Sequence, residues 1–387
     1  MKKHVLITSL LAMLMVVVMA FTACTTEGTG KRDNDNLSYK KIRTLDDLLE
    51  VELDPTANYK LMDDIDCGGT ILRAIGTEET PYSGTFNGNG YTIKNFKLAP
   101  GLYTGVFGYV TGVIKNLNIA DFSMELLSNY NVADIYYMGG IAAFLTEPKV
   151  EEPETSETEG KEGETAAEKP EKVVAGGIIQ NCTAINGDFK ATTGKQANMG
   201  LIVGYCKGAT VVENCVAAGS IYYYSSLAGT ADGFGGIVGK SDDAASVVDK
   251  CLADVRLDVT HGYTYRYYEG FLPATGTARG GYVGIIAGYD VGTVSNCMSL
   301  GSINHLYVYG ANEVCGWGNI ISNCYASDDV NIKNQALQFI ARESINRSFF
   351  LVTLNWSEDI WNLKKVDFTL GENEDGTAKQ TVYPSLK

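Results

Sequence analysis

The chain has 387 residues, of which 45% are hydrophobic, and its formal net charge at pH 7 is −15. This length allows a sizeable core, and the acidic balance argues against a nucleic-acid partner, because phosphate backbones attract basic surfaces. We therefore expect no nucleic-acid ligand.

Residues 1–24 have the layout of a secretory signal peptide. Lys2 and Lys3 precede an apolar run from Val5 to Phe21, and small residues stand before Cys24. The ending "FTAC" resembles a bacterial lipobox, which implies that Cys24 is acylated and anchors the mature protein. An ordinary signal peptide or an uncleaved membrane helix stays open as an alternative, since about 17 apolar residues approach the length that spans a bilayer.

The anchor implies a place in the cell. We expect residues 25–38 to be a polar tether, and the protein to sit in the bacterial cell envelope, on the outer membrane and exposed at the surface. Contact with the membrane would be through the N-terminal lipid only. Residues 39–100 form a separate N-terminal module, in which Thr44 before "LDDLLEV" predicts a short capped helix that covers one end of the core.

A repeated pattern dominates the middle of the chain. "GLIVGYCKGATVVENC", "GIVGKSDDAASVVDKC" and "GIIAGYDVGTVSNC" each run from a glycine-framed apolar stretch to a cysteine. One apolar position recurs in every unit, and it is filled by Leu117, Cys182, Cys215, Cys251, Cys297 and Cys324. A position that accepts either Leu or Cys is typical of a buried column, because a free cysteine behaves as a small hydrophobic residue. Disulfide pairing among these cysteines remains the alternative.

The repeat predicts the fold class. Short runs with a period of two are separated by Gly, Asn and Asp turns, and one unit alone cannot bury its own apolar face. We therefore expect an all-β protein, a right-handed parallel β-helix (β-solenoid) of about six rungs over residues 101–327. The cysteines show no CxxC or Cys/His spacing, so we expect no metal site and no cofactor.

Two segments lie outside the repeat. Residues 146–172 hold ten Glu, four Lys and three Pro with no aromatic residue, which predicts a disordered acidic insert. A cation-binding or partner-recruiting role for this insert is the alternative. Residues 328–387, with Phe349, Phe350, Trp356 and Trp361, are expected to form a C-terminal cap that closes the far end of the core.

The framed stretches Gly105-Val106-Phe107-Gly108 and Gly236-Ile237-Val238-Gly239, and the following "IKN", "IQN" and "VSN", resemble the GLUG-motif repeats of bacterial surface proteins. The segments 42–98 and 356–387 are similar to the modules before and after such repeats. The resemblance implies an adhesin-like envelope protein. Related repeats occur in the stalks of immunoglobulin-A-cleaving metallopeptidases, but a peptidase needs an HExxH zinc motif. This chain has only His4, His261 and His305, so we expect no enzyme.

Tyrosines cluster after the column residues. We predict that Tyr222, Tyr224, Tyr265, Tyr267, Tyr307 and Tyr309 form an aromatic strip that binds a glycan or a surface protein. A ladder of tyrosines that only packs loops onto the flank is the alternative. Binding or adhesion by a monomer is thus the expected function, with a polysaccharide-acting lyase or glycosidase, or a passive structural component of the envelope, as the other classes.

Overall fold

Alternation of apolar and polar residues makes most of this chain a series of short β-strands. The computed structural model describes residues 36–127, 133–148, 177–225, 232–261, 280–306, 308–332, 338–368 and 381–386. The predicted signal peptide with Cys24, the tether up to residue 35, and residues 149–172 of the acidic insert lie outside the described residues. Tyr265, Tyr267 and Tyr307 lie outside them as well.

Most of the described strands belong to one large sheet. Its members are β1 Lys40–Ile42, β2 Tyr59–Leu61, β3 Ile65–Leu72, β4 Thr85–Asn87, β5 Thr92–Leu98, β7 Phe107–Val110, β8 Val113–Lys115, β9 Asn118–Leu126, β11 Ala142–Thr146, β12 Ile178–Thr193, β14 Val203–Lys207, β15 Val211–Ser225, β17 Val238–Ser241, β18 Val247–Asp249, β19 Leu252–His261, β21 Ala287–Ser295, β22 Met298–Ser299, β23 Ser302–Leu306, β25 Cys315–Ser322, β26 Tyr325–Ser327 and β27 Gln338–Ile340.

A smaller sheet takes one strand from each repeat. It contains β6 Tyr103–Thr104, β10 Ile135–Gly139, β13 Gln196–Gly200, β16 Gly233–Gly235, β20 Tyr282–Gly284 and β24 Gly310–Asn312, paired in chain order. A separate antiparallel pair joins β28 Trp361–Asn362 to β29 Ser385–Leu386.

Strands of consecutive repeats pair in parallel and in register. For example, β12 pairs with β15 over most of its length, and β15 continues with β18 and β19. The all-β class is therefore confirmed, with parallel sheets and one short α-helix among the described residues. Closure into a right-handed β-helix and the count of about six rungs stay predictions.

The residue before each column residue has a left-handed backbone, and it is an asparagine in every case except Lys250. The backbone φ angle is 53° at Asn116, 54° at Asn181, 51° at Asn214, 52° at Asn296 and 49° at Asn323. Asparagine tolerates this left-handed conformation better than other residues with a Cβ. The amides also bond from repeat to repeat: Asn181 Nδ2 donates to Asn116 Oδ1 at 3.1 Å, and Asn323 Nδ2 to Asn296 Oδ1 at 2.7 Å.

The six column residues lie in the core, as the repeat predicts. Leu117, Cys182, Cys215, Cys251, Cys297 and Cys324 are all buried, and the cysteines are free thiols. Cys182 and Cys215 are direct register partners, and the backbone N–H of Cys251 donates to Cys297 Sγ at 3.4 Å. The column therefore consists of stacked thiols and not of disulfides.

This burial predicts unreactive thiols. In the native protein a thiol-reactive reagent should label Cys215, Cys251 and Cys297 only after denaturant is added, because burial raises the pKa of each of these thiols and excludes the reagent. Mass spectrometry of labelled peptides measures this, with Lys207→Cys as an exposed control that should react at once. Prompt native labelling of the column would contradict the stacked core.

The short helix at the N-terminal end forms where the sequence predicts it. Helix α1 spans Leu45–Leu49, and a 3₁₀ turn follows at Glu50–Leu53. The Thr44 side chain caps α1 by accepting from the backbone N–H of Asp47, and Asp47 accepts from the backbone N–H of Thr44. Leu48 and Val51 are buried in the main core. The described residues contain no helix with the length and apolar character that a membrane span requires.

The aromatic residues of the C-terminal segment belong to a core of their own. Its 3₁₀ turn Arg342–Ser344 and π-helical turn Phe349–Thr353 precede β28. Phe350, Trp356 and Trp361 are buried, but in a second core. That core forms against outward-facing apolar residues of successive strands, namely Val216, Leu252 and Met298. These aromatic residues therefore cover a flank of the repeat region, where apolar surface needs burial. A cap over the end of the core, formed by residues 328–387, stays a prediction.

Candidate functional site

The outward side chains of β9, β12, β15, β19 and β23 form one polar surface, which we call the long-strand face. Successive side chains of a strand point to opposite sides, so Tyr223 is buried in β15 while Tyr222 and Tyr224 are exposed. Register then aligns the outward residues in two columns. These are Ser123, Asp188, Ser220, Arg256 and Ser302, and Glu125, Lys190, Tyr222, Asp258 and Asn304.

A shallow groove runs along this face across the strands. One cavity of about 350 Å³ is lined by Asp188, Lys190, Ser220, Tyr222, Arg256 and Asp258. A second cavity of about 280 Å³ shares Asp188 and Lys190 with the first and extends towards Lys97 on β5. We call the two together the face groove. Its lining residues lie on six adjacent strands, β3, β5, β9, β12, β15 and β19. The outer two of these strands are five spacings apart, or about 24 Å at the usual strand spacing of about 4.8 Å.

The charges of the groove pair within each strand. Lys190 Nζ lies 2.6 Å from Asp188 Oδ2, and Arg256 Nε lies 2.7 Å from Asp258 Oδ2. Ser220 Oγ donates to Asp188 Oδ1 at 2.7 Å. Two cations and two anions therefore cancel around Tyr222, and the groove presents hydrogen-bond donors and acceptors without net charge. This arrangement suits a ligand with many hydroxyl groups better than a strongly charged ligand.

The carboxylate of Asp188 is better placed for hydrogen bonding than for proton transfer. Burial tends to raise the pKa of Asp188, but the hydrogen bonds from Lys190 and Ser220 outweigh it, so this pKa lies below its ordinary value. A general acid that works near neutral pH needs a raised pKa instead. Asp258 Oδ1 is buried and has no hydrogen-bond partner among the described residues, and Asp258 Oδ2 pairs with Arg256.

The structure brings only part of the predicted tyrosine strip together. Tyr222 and Tyr224 are 45% and 40% exposed on β15, but their register neighbours are Lys190, Asp258, Thr192 and Thr260. Tyr309 is also exposed, yet it precedes β24 of the smaller sheet, where its ring centroid lies 5.6 Å from that of Tyr282. The prediction of one continuous strip through Tyr222, Tyr224 and Tyr309 is therefore wrong.

The reason lies in the spacing. Counted from the column cysteines, the positions equivalent to Tyr222 are Asp258 and Asn304. Tyr309 comes further along the chain, after the end of β23 and just before β24. Although tyrosines follow several of the column cysteines, they do not occupy equivalent positions in the paired strands.

A second aromatic feature was missed by the sequence reasoning. One outward column of the large sheet contains Tyr109, Phe144, Tyr205, Lys240, Tyr289 and Trp317 in register. We call it the aromatic column. Each of its members follows the second framing residue of a repeat, which is Gly108, Ala143, Gly204, Gly239, Gly288 or Gly316, so an alignment of the repeats on these residues would have found it.

The aromatic column is suited to packing. The rings of Tyr109 and Phe144 stack with centroids 4.7 Å apart, and those of Tyr289 and Trp317 stack at the same distance. Lys240 is the one member of the column that is not aromatic, and its Nζ lies 5.2 Å from the ring centroid of Tyr289. Since neighbouring rings cover one another's faces, little ring face is left for a ligand. The aromatic column is thus a ladder of stacked rings, built from other residues than the tyrosines singled out in the sequence.

The described part of the chain contains no cluster of side chains that could bind a metal ion. No group of three or more His, Cys, Asp or Glu side chains there is arranged to hold a metal ion. The described histidines, His261 and His305, lie on different strands, β19 and β23.

Comparison with known proteins identifies the fold and no family. No family model matches the chain, so the GLUG resemblance stays a prediction, and no curated protein matches it either. A solved structure from Bacteroides ovatus, described as a "putative immunoglobulin A1 protease", shares 16% identity with a TM-score of 0.58, and the match covers 93% of this chain and 95% of that one. At this identity the likeness shows the fold alone.

A second solved structure is described as an IgA1 protease. It shares 12% identity with this chain, with a TM-score of 0.35. The match covers 91% of this chain but only 26% of that protein. It carries no argument about this chain.

Proposed function

We propose that this protein is a lipid-anchored cell-envelope protein that binds an extended, neutral glycan along the face groove. In this proposal the repeats wind into a right-handed β-helix of about six rungs, and Cys24 carries the lipid. The observation that supports it best is the groove itself, which crosses six adjacent strands and has the exposed ring of Tyr222 inside it.

The groove has the chemistry for a polyhydroxylated chain. Tyr222 offers a flat apolar ring with a polar tip, which suits stacking against the C–H face of a sugar ring. Around it, Lys190 and Arg256 donate hydrogen bonds, and Asp188 and Asp258 accept them. Because the two charge pairs cancel, a charged polymer gains no net attraction in the groove, whereas a neutral glycan meets donors and acceptors at every strand.

The periodic arrangement favours a polymer over a small molecule. Parallel strands repeat every 4.8 Å or so, and the groove therefore repeats similar polar positions along one direction. A shallow, open groove holds a small ligand weakly, but contacts to successive sugar units add up along a chain. A folded surface protein is the alternative ligand, and the experiment below distinguishes the two.

The similarity to the Bacteroides ovatus protein suggests a second class, a peptidase. The name given to the Bacteroides ovatus protein is the only support for a peptidase. The present chain lacks an HExxH sequence, and the pKa of its groove carboxylate Asp188 is lowered. A glycosidase or lyase would also need a carboxyl group tuned for proton transfer. We therefore propose binding in preference to catalysis.

Affinity electrophoresis tests the proposal. The purified protein is run in gels that contain a neutral polysaccharide, such as a glucan, mannan or xylan, or an acidic one, such as a polygalacturonate. We expect retardation by at least one neutral polymer and none by the acidic polymer, with no shortening of the polymer over time. Retention only on glycan-free proteins would assign the face to a protein partner, and loss of polymer length would show an enzyme.

A further inference from the structure

The face groove follows one straight row of outward side chains across the sheet. Ile71 on β3 is the register partner of Lys97 on β5, and Lys97 is the register partner of Ser123 on β9. The row then continues on β12, β15 and β19 through Asp188, Ser220 and Arg256. Each of the six lining strands therefore contributes one side chain to the row, at intervals of one strand spacing.

The groove offers an exposed apolar side chain at two separate points. One is the ring of Tyr222 on β15, and the other is Ile71 on β3, which is 63% exposed. Pro100 lines the same part of the groove as Ile71. Four strand spacings separate β3 from β15, which corresponds to about 19 Å. A ligand that contacts both points must therefore be long.

The charged side chains of the whole groove balance. Its lining residues include three cations and three anions, namely Lys97, Lys190, Arg256, Glu125, Asp188 and Asp258. An acidic polymer would meet an anion as often as a cation along this row, and so gains no net attraction. Hydroxyl groups, in contrast, find both donors and acceptors at each step. The balance around Tyr222 thus extends to the far end of the groove.

The lining strands set the length of ligand that the groove can hold. On one side, Leu48 and Leu49 of α1 line the next cavity together with Ile71, so the helix adjoins β3. On the other side, the row passes from Arg256 to Ser302 on β23, which lies outside the lining residues of the groove. The groove therefore extends over six strands, from β3 to β19.

We propose, on the basis of the glycan-binding function above, that the ligand is a β-1,4-linked neutral glycan with one sugar unit above each of the six strands. Ile71 and Tyr222 hold it at two points. Successive units of such a chain advance by about one strand spacing, about 4.8 Å, so that each unit meets the row in the same way. An α-1,4-linked chain coils instead, and its units leave a straight row after a short distance.

Calorimetric titration with cello-, manno- and xylo-oligosaccharides of increasing length tests the number of units. In the series that matches the retained polymer, the affinity should rise from the disaccharide to the hexasaccharide and then level off, because contacts add until all six strands are used. The α-1,4-linked malto-hexasaccharide should bind about tenfold more weakly or less. An affinity that levels off at the trisaccharide, or equal affinities for the two linkages, overturns the proposal.

Ile71→Ser tests the second contact point. It should lower the affinity for the hexasaccharide about fivefold, because the apolar contact at β3 is lost. The loss should vanish with the trisaccharide, which reaches only the strands near Tyr222. Val352→Ser is the matched control, since it removes a branched side chain that is 79% exposed in the C-terminal segment, and it should leave both affinities unchanged. Circular dichroism should show that both variants fold.

Two outcomes separate this proposal from the glycan-binding function on which it rests. If no neutral polysaccharide or oligosaccharide binds the unchanged protein, the glycan-binding function is wrong and the proposal is wrong with it. If binding depends on Tyr222 but shows neither the six-unit limit nor the effect of Ile71→Ser, the groove binds a glycan, and the arrangement of one unit per strand is wrong.

Discussion

Replacing Tyr222 with alanine is expected to lower the affinity for a neutral polysaccharide about tenfold or more, which corresponds to about 1.4 kcal/mol of binding free energy. The ring is the only aromatic surface that lines the described groove, so its removal leaves the sugar with hydrogen bonds alone. Aromatic contacts contribute about 0.5–1.5 kcal/mol beyond the area they bury. Affinity electrophoresis over a range of polymer concentrations measures the change.

The exposed position of Tyr222 allows a clean control. Tyr309→Ala removes a tyrosine of the same exposure, 45%, from the position just before β24, and it should leave the affinity unchanged. Tyr222→Phe keeps the ring and should retain most of the binding. The melting temperature of Tyr222→Ala should stay close to that of the unchanged protein, since nearly half of the side chain already faces solvent. Equal losses in Tyr222→Ala and Tyr309→Ala, or no loss in either, would remove the groove from function.

The buried column was predictable because it depends only on the residue type at one position of each repeat. A position that is Leu117 in one repeat and Cys182 in the next accepts only apolar side chains, which indicates burial. The neighbouring Asn181 has a left-handed backbone, and an asparagine before the column residue is a local signal of that conformation. The N-terminal helix was predictable for a similar local reason, since Thr44 and Asp47 form reciprocal hydrogen bonds within four residues. Both features depend on short-range chemistry.

The tyrosine strip was not predictable because it depends on register over long distances. Tyr224 and Tyr309 both follow a column cysteine, but the number of residues in between differs. Tyr224 therefore lies within β15 of the large sheet, and Tyr309 just before β24 of the smaller sheet. The flank position of Trp356 and Trp361 also follows from tertiary structure, because the apolar outer positions Val216 and Leu252 become one surface only after the strands pair. The alternation within a strand predicts that a residue points outward, but it does not predict which other part of the chain covers that residue.

The core also contains a buried carboxyl group, that of Asp290, which has no role in the proposed glycan binding. Asp290 on β21 is fully buried, with Ser241 and Gly318 as its register neighbours. The backbone N–H of Gly292 donates to its Oδ1 at 2.6 Å, while its Oδ2 has no hydrogen-bond partner among the described residues. Burial raises the pKa of this carboxyl to about 7, even though the hydrogen bonds from Gly292 and Ser246 act in the opposite direction.

A raised pKa of an acid makes the folded state more stable at low pH. In the unfolded chain Asp290 titrates near its ordinary pKa of about 3.9, so between about pH 4 and pH 7 the folded state holds a proton that the unfolded state has lost. The contribution of Asp290 to stability is therefore complete below about pH 4 and falls as the pH rises to 7. Three pKa units correspond to about 4 kcal/mol, which is an upper bound for a group that can relax or admit water.

Asp290→Asn should therefore raise the free energy of unfolding by an amount that grows from near zero at pH 4 to a few kcal/mol at pH 8, because the amide has a similar shape and no charge to bury. Urea midpoints of the variant and of the unchanged protein, measured at each pH, give this difference directly. Asp328→Asn, which changes an exposed aspartate near the same end of the chain, is the matched control and should show no such growth with pH. A constant difference for Asp290→Asn across this pH range would mean that Asp290 is ionised in the fold at low pH too, and that its unpaired Oδ2 is solvated after all.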